Sequence, residues 1–189
     1  MQQPSAPATT TRVAVTGANR GIGLATVSAL LLAGADVVAT YRSTPLIPEI
    51  MEGGPCENMD AMDAERMMSV VKKYDIDTIV NLVAVLSAVG ESKPTLAWKI
   101  NMESMINSLE VARETKAAVF LPSSIGAFGP NTPMDNTPQD TLMRPSTIYG
   151  ISKVAAELLG DYYFVKYGVD CRGLRYPGII SNVTLPGGG

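Results

Sequence analysis

From Arg12 onward the chain switches repeatedly between a strand-like and a helix-like hydrophobic period, and no other feature narrows its fold so far. RVAVTG (12–17) is a short apolar run closed by glycine, the pattern of a strand buried on both faces. IGLATVSALLLAG (22–34) puts apolar residues in helical register and ends on Gly34, suited to a left-handed C-cap. DVVATY (36–41) reads as a second strand. The Pro- and Gly-rich segment 43–59 reads as irregular, with a third strand expected just before Asp60. The spacing then predicts a helix over about 63–74, a strand over 76–85 and a long helix over about 95–114. A strand at 116–124, a helix over about 147–167 and a last strand within 169–178 close the series. Such alternation implies an α/β fold: a doubly wound parallel sheet of Rossmann type with right-handed crossovers.

Composition removes several functions. The 189 residues contain no His, which excludes a His general base, a Ser–His–Asp triad and the commonest zinc sites, and no metal is expected. A net charge of −3 without a basic run argues against nucleic acid as a partner. The most apolar stretch, 22–35, is too short to span a bilayer, so no membrane partner is expected. Cys56 and Cys171 cannot build a disulfide framework, which fits a reducing, cytoplasmic setting. Residues 1–11 read as a disordered tail without the apolar core of a signal peptide, and 12–181 as one dinucleotide-binding domain.

The turn between the first strand and helix runs Thr16-Gly17-Ala18-Asn19-Arg20-Gly21-Ile22-Gly23. Gly17 can turn sharply, Gly21 lets a pyrophosphate approach the backbone, and Gly23 lets the helix pack close to the sheet. The helix N-terminus beyond offers free N–H groups to an anion. An acidic side chain at the end of the second strand would bind a ribose, but this strand ends Thr40-Tyr41-Arg42-Ser43. Arg20 and Arg42 therefore favour NADP by charge, unless both are solvated surface residues. Asp60 suits the adenine amino group or the cap of the next helix equally well.

Tyr149 and Lys153, in TIYGISK, stand four apart at the start of a helix for which Ser146 is a plausible N-cap. They share a face, and an ammonium beside the phenol is expected to lower its pKa toward neutrality. Ser124, at the C-terminal end of a strand, lies where open parallel sheets place ligands, and its hydroxyl can hold a substrate oxygen.

Together these residues resemble the short-chain dehydrogenase/reductase superfamily. From about Asp60 the resemblance narrows to its epimerase-like L-threonine 3-dehydrogenases. It rests on DIDTIVNLVAVLSAVGE (75–91), LAWKINM (96–102), FLPSSIGAFGPNTPMDNTP (120–138), TIYGISKVAAELLGDYY (147–163) and LRYPGIISNVTLPGGG (174–189). It implies Ser124, Tyr149 and Lys153 as the catalytic set. It also implies Asp60, Ala61, Leu82, Val83, Ala84 and Asn101 along the cofactor, with Tyr176, Pro177, Gly178 and Ile179 at the nicotinamide end. Ser87, with Gly178, would face L-threonine, although a loop serine can equally bond its own backbone. The implied reaction oxidises the β-hydroxyl of L-threonine to 2-amino-3-ketobutyrate, in a homodimer paired through the helices at 95–114 and 147–167. The superfamily also holds nucleotide-sugar epimerases, dehydratases and ketoreductases, and a dinucleotide-binding protein without turnover is the reading from another class.

Two departures stand out. The turn has the GxxxGxG spacing of the classical members, with Arg20 where the epimerase-like members carry Gly. This front half argues for NADP and the catalytic half for NAD, so a seam is expected within 43–59. The chain also ends at Gly187–Gly189, where the family's substrate lobe would begin at about 182, which implies weak or absent turnover.

Overall fold

Val13–Val15, Val37–Ala39 and Ile79–Val80 offer no polar face, so they are satisfied only inside a sheet covered on both sides. The computed structural model, which describes residues 10–19, 21–44 and 46–178, places them there. Its strands are β1 (Arg12–Thr16), β2 (Asp36–Tyr41), β3 (Cys56–Asn58), β4 (Thr78–Asn81), β5 (Ala118–Ser124) and β6 (Cys171–Tyr176). They form one sheet in the order β3-β2-β1-β4-β5-β6, parallel at every pairing. The chain runs outward from β1 to β3, crosses back, and runs outward again, as in a doubly wound dinucleotide fold.

The helices are α1 (Gly21–Leu32), α2 (Pro48–Gly53), α3 (Ala64–Lys73), α4 (Ser87–Ser92), α5 (Pro94–Thr115) and α6 (Ile148–Tyr167). Successive strand residues point to opposite faces, which divides the core into two layers. Val13, Val15, Val37 and Ala39 pack with Val27 of α1 and Ile50 of α2. Ala14, Val38, Ile79, Val119 and Leu121 pack with Met67 and Val70 of α3, Leu109 of α5 and Ala156 of α6. Gly34 and Gly168 follow α1 and α6 at φ +82° and +71°, the left-handed geometry expected of the first from the sequence.

The segment 43–59 is more regular than its composition suggests. Pro48 occupies the first turn of α2, where its missing N–H costs nothing. β3 escapes a hydrophobic reading because its one buried residue is Glu57. That carboxylate accepts from Lys73 Nζ (2.7 Å), Tyr74 Oη (2.7 Å) and Arg66 Nη2 (2.6 Å), which joins β3 to the length of α3. Hydrogen bonds from Lys73, then Tyr74, outweigh burial and bring its pKa from 4.5 down to about 2. A depressed carboxylate stabilises the fold fully above its unfolded pKa and loses that contribution as pH falls from 4.5 toward 2. Lys73 is 59% exposed, which screens part of the effect. Glu57→Gln is therefore expected to cost about 1–3 kcal/mol at neutral pH and to flatten the acid limb of stability in urea titrations.

β4 also stops earlier than the apolar run 76–85 suggests. Beyond Asn81 the backbone bonds to side chains: Leu82 N–H donates to Thr16 Oγ1 (3.2 Å) and Val83 N–H to Asn81 Oδ1 (3.1 Å). The chain then enters α4, where the sequence suggested only a loop.

Candidate active site

Three glycines shape the turn between β1 and α1, each differently. Gly17 has φ +71°, and a Cβ there would lie 3.5 Å from the carbonyl of Leu82. Gly21 has φ +52°, and among the described residues nothing lies within 4 Å of where its Cβ would be. A Cβ on Gly23 would lie 2.0 Å from the Gly17 oxygen, so only glycine allows α1 this close to the turn. An exposed stretch of backbone at the start of a helix fits the pyrophosphate of a dinucleotide. Leu82, Val83 and Ala84 are half-buried in the loop beside it. Asn19 holds the neighbouring loop through Thr44 O (3.4 Å).

At the far edge Arg42 Nη1 lies 3.9 Å from Asp60 Oδ2, both exposed. Asp60 Oδ1 accepts from Met62 N–H (3.0 Å), while Asp63 caps α3 by accepting from Arg66 N–H (2.8 Å). Asp60 is thus not the helix cap, and its carboxylate turns toward the turn backbone and Arg42. Ala61 is buried in the core, where its carbonyl accepts from Asn107. Arg20 and Ile179 lie outside the described residues, as does the stretch 182–189.

The catalytic candidates converge at the C-terminal ends of β5 and β6. α6 is capped by Thr147, whose Oγ1 accepts from Gly150 N–H (3.0 Å), rather than by Ser146 one residue earlier. A Cβ on Gly150 would lie 2.1 Å from the Gly126 oxygen, so α6 sits directly on the 3-10 turn (Ile125–Ala127) that follows β5. This brings Tyr149 against Gly126, where an added Cβ would touch the ring at 3.3 Å and Ser124 Oγ at 3.4 Å. Ser124 Oγ accepts from Gly126 N–H (3.1 Å), which fixes its rotamer. Lys153 is 8% exposed, lies 5.2 Å from the Tyr149 ring centroid and donates to Pro122 O (2.6 Å).

The pKa directions correct one expectation. Burial raises the Tyr149 phenol above its ordinary value, although the hydrogen bond with Ser124 opposes it. Desolvation lowers Lys153 from 10.5 to about 8. Burial thus weighs more on the phenol than the ammonium beside it.

Asn101 serves the site from behind. Its Oδ1 accepts from Val85 N–H (2.7 Å), and its Nδ2 donates to Val85 O (3.2 Å) and to Ser152 Oγ (3.1 Å). Ser152 in turn donates to Tyr149 O (2.7 Å), so Asn101 links the 82–86 loop to α6 with its own polar atoms fully engaged. Ser87 is the exposed first residue of α4, which is tied to α6 by Ile148 N–H donating to Glu91 Oε1 (2.8 Å). Tyr176 pairs in register with Ser124, and Pro177 and Gly178 follow it, exposed.

Sequence reasoning missed the buried network at the junction of β1 and β4. Thr16 Oγ1 donates to Asn81 Oδ1 (3.0 Å), and Asn81 Nδ2 donates to Ser104 O (3.0 Å) and Ser108 Oγ (3.1 Å). The signal was an Asn ending an apolar strand, since a buried amide demands partners.

Comparison with known proteins agrees with this geometry. Residues 13–186 match the NAD dependent epimerase/dehydratase family, a span that includes both sides of the segment 43–59. An uncharacterized epimerase/dehydratase of Staphylococcus saprophyticus is 46% identical over 180 residues, 94% of this chain and 56% of the relative. The L-threonine dehydrogenase of Clostridium difficile superposes with a TM-score of 0.88 at 48% identity, covering 95% of this chain and 57% of that one. A GalE-like L-threonine dehydrogenase from Cupriavidus necator, in holo form, gives 0.84 at 40% identity, covering 92% and 57%. The chain thus spans little more than half the length of these relatives. By that continuous match and the parallel six-stranded sheet beneath it, the chain belongs to the NAD dependent epimerase/dehydratase family.

Proposed function

We propose that this chain carries the dinucleotide-binding and proton-transfer machinery of an NAD-dependent oxidoreductase acting on the β-hydroxyl of L-threonine, with 2-amino-3-ketobutyrate as product. The observation that carries the reading is the meeting of Ser124, at the end of β5, with Tyr149 and Lys153 of α6, in a parallel sheet whose first strand ends in the Gly17–Gly23 turn. The names and identities of the two L-threonine dehydrogenases support the substrate class. Ser124 holds the reacting hydroxyl, and the Tyr149 oxygen takes its proton as the phenolate. Lys153, 5.2 Å from the ring and still mostly protonated at neutral pH, offsets the phenolate charge. Because burial raises the phenol, the reaction is expected to speed up as pH rises above neutral. NAD, when bound, supplies the acceptor for the hydride released from the β-carbon. Gly17, Gly21 and Leu82–Ala84 would hold it, with Asp60 beside Arg42 weakening the preference of that edge for a 2′-phosphate.

The experiment is the threonine-dependent formation of reduced dinucleotide, run beside an assay for UDP-sugar epimerisation. Threonine-dependent reduction with NAD is expected. Epimerisation alone would move the chain to the other branch of the family, and dinucleotide binding without either reaction would remove the enzyme reading.

α6 also turns an apolar stripe outward: Ile151, Leu158, Tyr162 and Val165 are 43%, 60%, 47% and 82% exposed. On α5, Ile106 is 40% exposed. We take this face as the pairing surface of a homodimer. Leu158→Glu is expected to shift sedimentation from dimer to monomer without unfolding the chain, and an unchanged dimer would place the contact elsewhere.

A further inference from the structure

Tyr149, Lys153 and Glu157 stand four residues apart along α6, and the third has no part in the chemistry above. Its carboxylate is nonetheless heavily engaged. Arg175 donates to it through Nε (3.0 Å to Oε1, 3.2 Å to Oε2) and Nη2 (2.7 Å to Oε2), and the Ser123 hydroxyl donates to Oε1. Arg175 reaches further, with Nη1 on Gln139 O (2.9 Å) and its guanidinium over the Phe128 ring, 5.6 Å from the centroid. The two charged side chains are only 22% and 17% exposed.

The contacts form a ladder. Pro122 O takes Lys153, Ser123 holds Glu157 and Ser124 lies beside Tyr149 at Gly126, so three consecutive residues of β5 face three successive turns of α6. Arg175 pairs with Ser123 in the sheet, which draws β6 into the same node. Two rungs carry the proposed reacting groups, and the third carries only the frame.

We propose that Glu157, clamped by Ser123 and Arg175, is a positioning residue that fixes the register of α6 on the end of β5 and so seats Lys153 on Pro122 and Tyr149 beside Ser124. Its consequence for turnover rests on the oxidoreductase reading, but its consequence for Lys153 does not. Without Glu157 the partly buried Arg175 guanidinium loses its carboxylate partner and keeps the Gln139 carbonyl, and α6 loses its ion pair to β6.

The direct probe is NMR of isotope-labelled lysine, with the Lys153 signal assigned by its loss in Lys153→Arg. Around that ammonium stand Tyr149 from α6 and the Pro122 carbonyl from β5, with the Glu157–Arg175 pair one turn on. Removing a carboxylate acts electrostatically to push the Lys153 midpoint further below about 8, whereas a loosened helix hydrates the ammonium and raises it toward 10.5. In Glu157→Gln the midpoint is expected to rise by about one pH unit or more, the sign opposite to that of charge removal alone. Glu157→Met with Arg175→Met deletes the pair without stranding a charge, and the same rise is expected there if the single variant folds poorly. Threonine oxidation in either variant should lose kcat by about tenfold or more with KM for NAD within about twofold. A Lys153 midpoint that falls or stays in place in the folded variants overturns the proposal. Absent threonine oxidation in the parent chain would instead overturn the oxidoreductase reading and leave the lysine titration standing.

Discussion

Tyr149→Phe is expected to bind NAD as the parent chain does and to lose threonine oxidation by about 10²–10⁴-fold, the usual worth of a positioned acid or base. The substitution deletes one oxygen and leaves the ring packed on Gly126. Lys153 keeps its bond to the Pro122 carbonyl, so the surrounding frame has little reason to move. The chain has no His to substitute as base, and Ser124 is committed to the Gly126 amide through its oxygen. Lys153, with a pKa near 8, is the one neighbour able to take over, and through water it would do so poorly. The check is a pair of measurements on the same preparation, dinucleotide affinity and threonine-dependent reduction. Full activity in the variant would assign proton transfer to another group.

Gly23→Ala is expected to abolish dinucleotide binding and to destabilise the chain by about 3 kcal/mol, near the upper range for overpacking. The new methyl would lie 2.0 Å from the Gly17 oxygen and 2.8 Å from its carbonyl carbon. Both belong to the backbone, so no side chain can turn aside. Either α1 lifts from the sheet, which opens the layer of Val15 and Val27, or the turn itself is displaced. Gly21→Ala is the informative contrast. Its φ of +52° costs about 1–2 kcal/mol for a residue with a Cβ, but nothing among the described residues lies within 4 Å of the new methyl. That variant should remain folded and bind weakly, because the methyl projects where the pyrophosphate is expected. Calorimetric binding and urea unfolding on the two variants separate the effects: Gly23→Ala loses both, Gly21→Ala mainly the first.

The parts of this fold that were legible in sequence are those where hydrophobic period and element coincide. β1, β2, α3 and α5 fall within two residues of their expected bounds because each buries an apolar run or stripe. β3 was legible only by its place just before Asp60, because a buried ion cluster around Glu57, not an apolar run, fastens it. The end of β4 was misplaced for a related reason, since Leu82 and Val83 look strand-like while Thr16 and Asn81 claim their N–H groups. Among the candidate site residues, Ser124, Tyr149 and Lys153 were legible from order and spacing, and they do converge. Asn101 was read as lying near the cofactor, but both ends of its amide are spent on Val85 and Ser152. Electrostatics was least legible. A Tyr–Lys pair four apart suggests a lowered phenol pKa, yet burial decides the direction here, and burial is a property of the packed site.

The proposed chemistry transfers the β-hydrogen of threonine to the nicotinamide while Tyr149 removes the hydroxyl proton. L-Threonine carrying deuterium on the β-carbon follows that hydrogen without ambiguity. With this chain and NAD, mass spectrometry of the dinucleotide should find the deuterium in the reduced form, with 2-amino-3-ketobutyrate or its decarboxylation product formed in step. Unlabelled reduced dinucleotide, or ketone formed with the label lost to water, would contradict direct hydride transfer from the β-carbon.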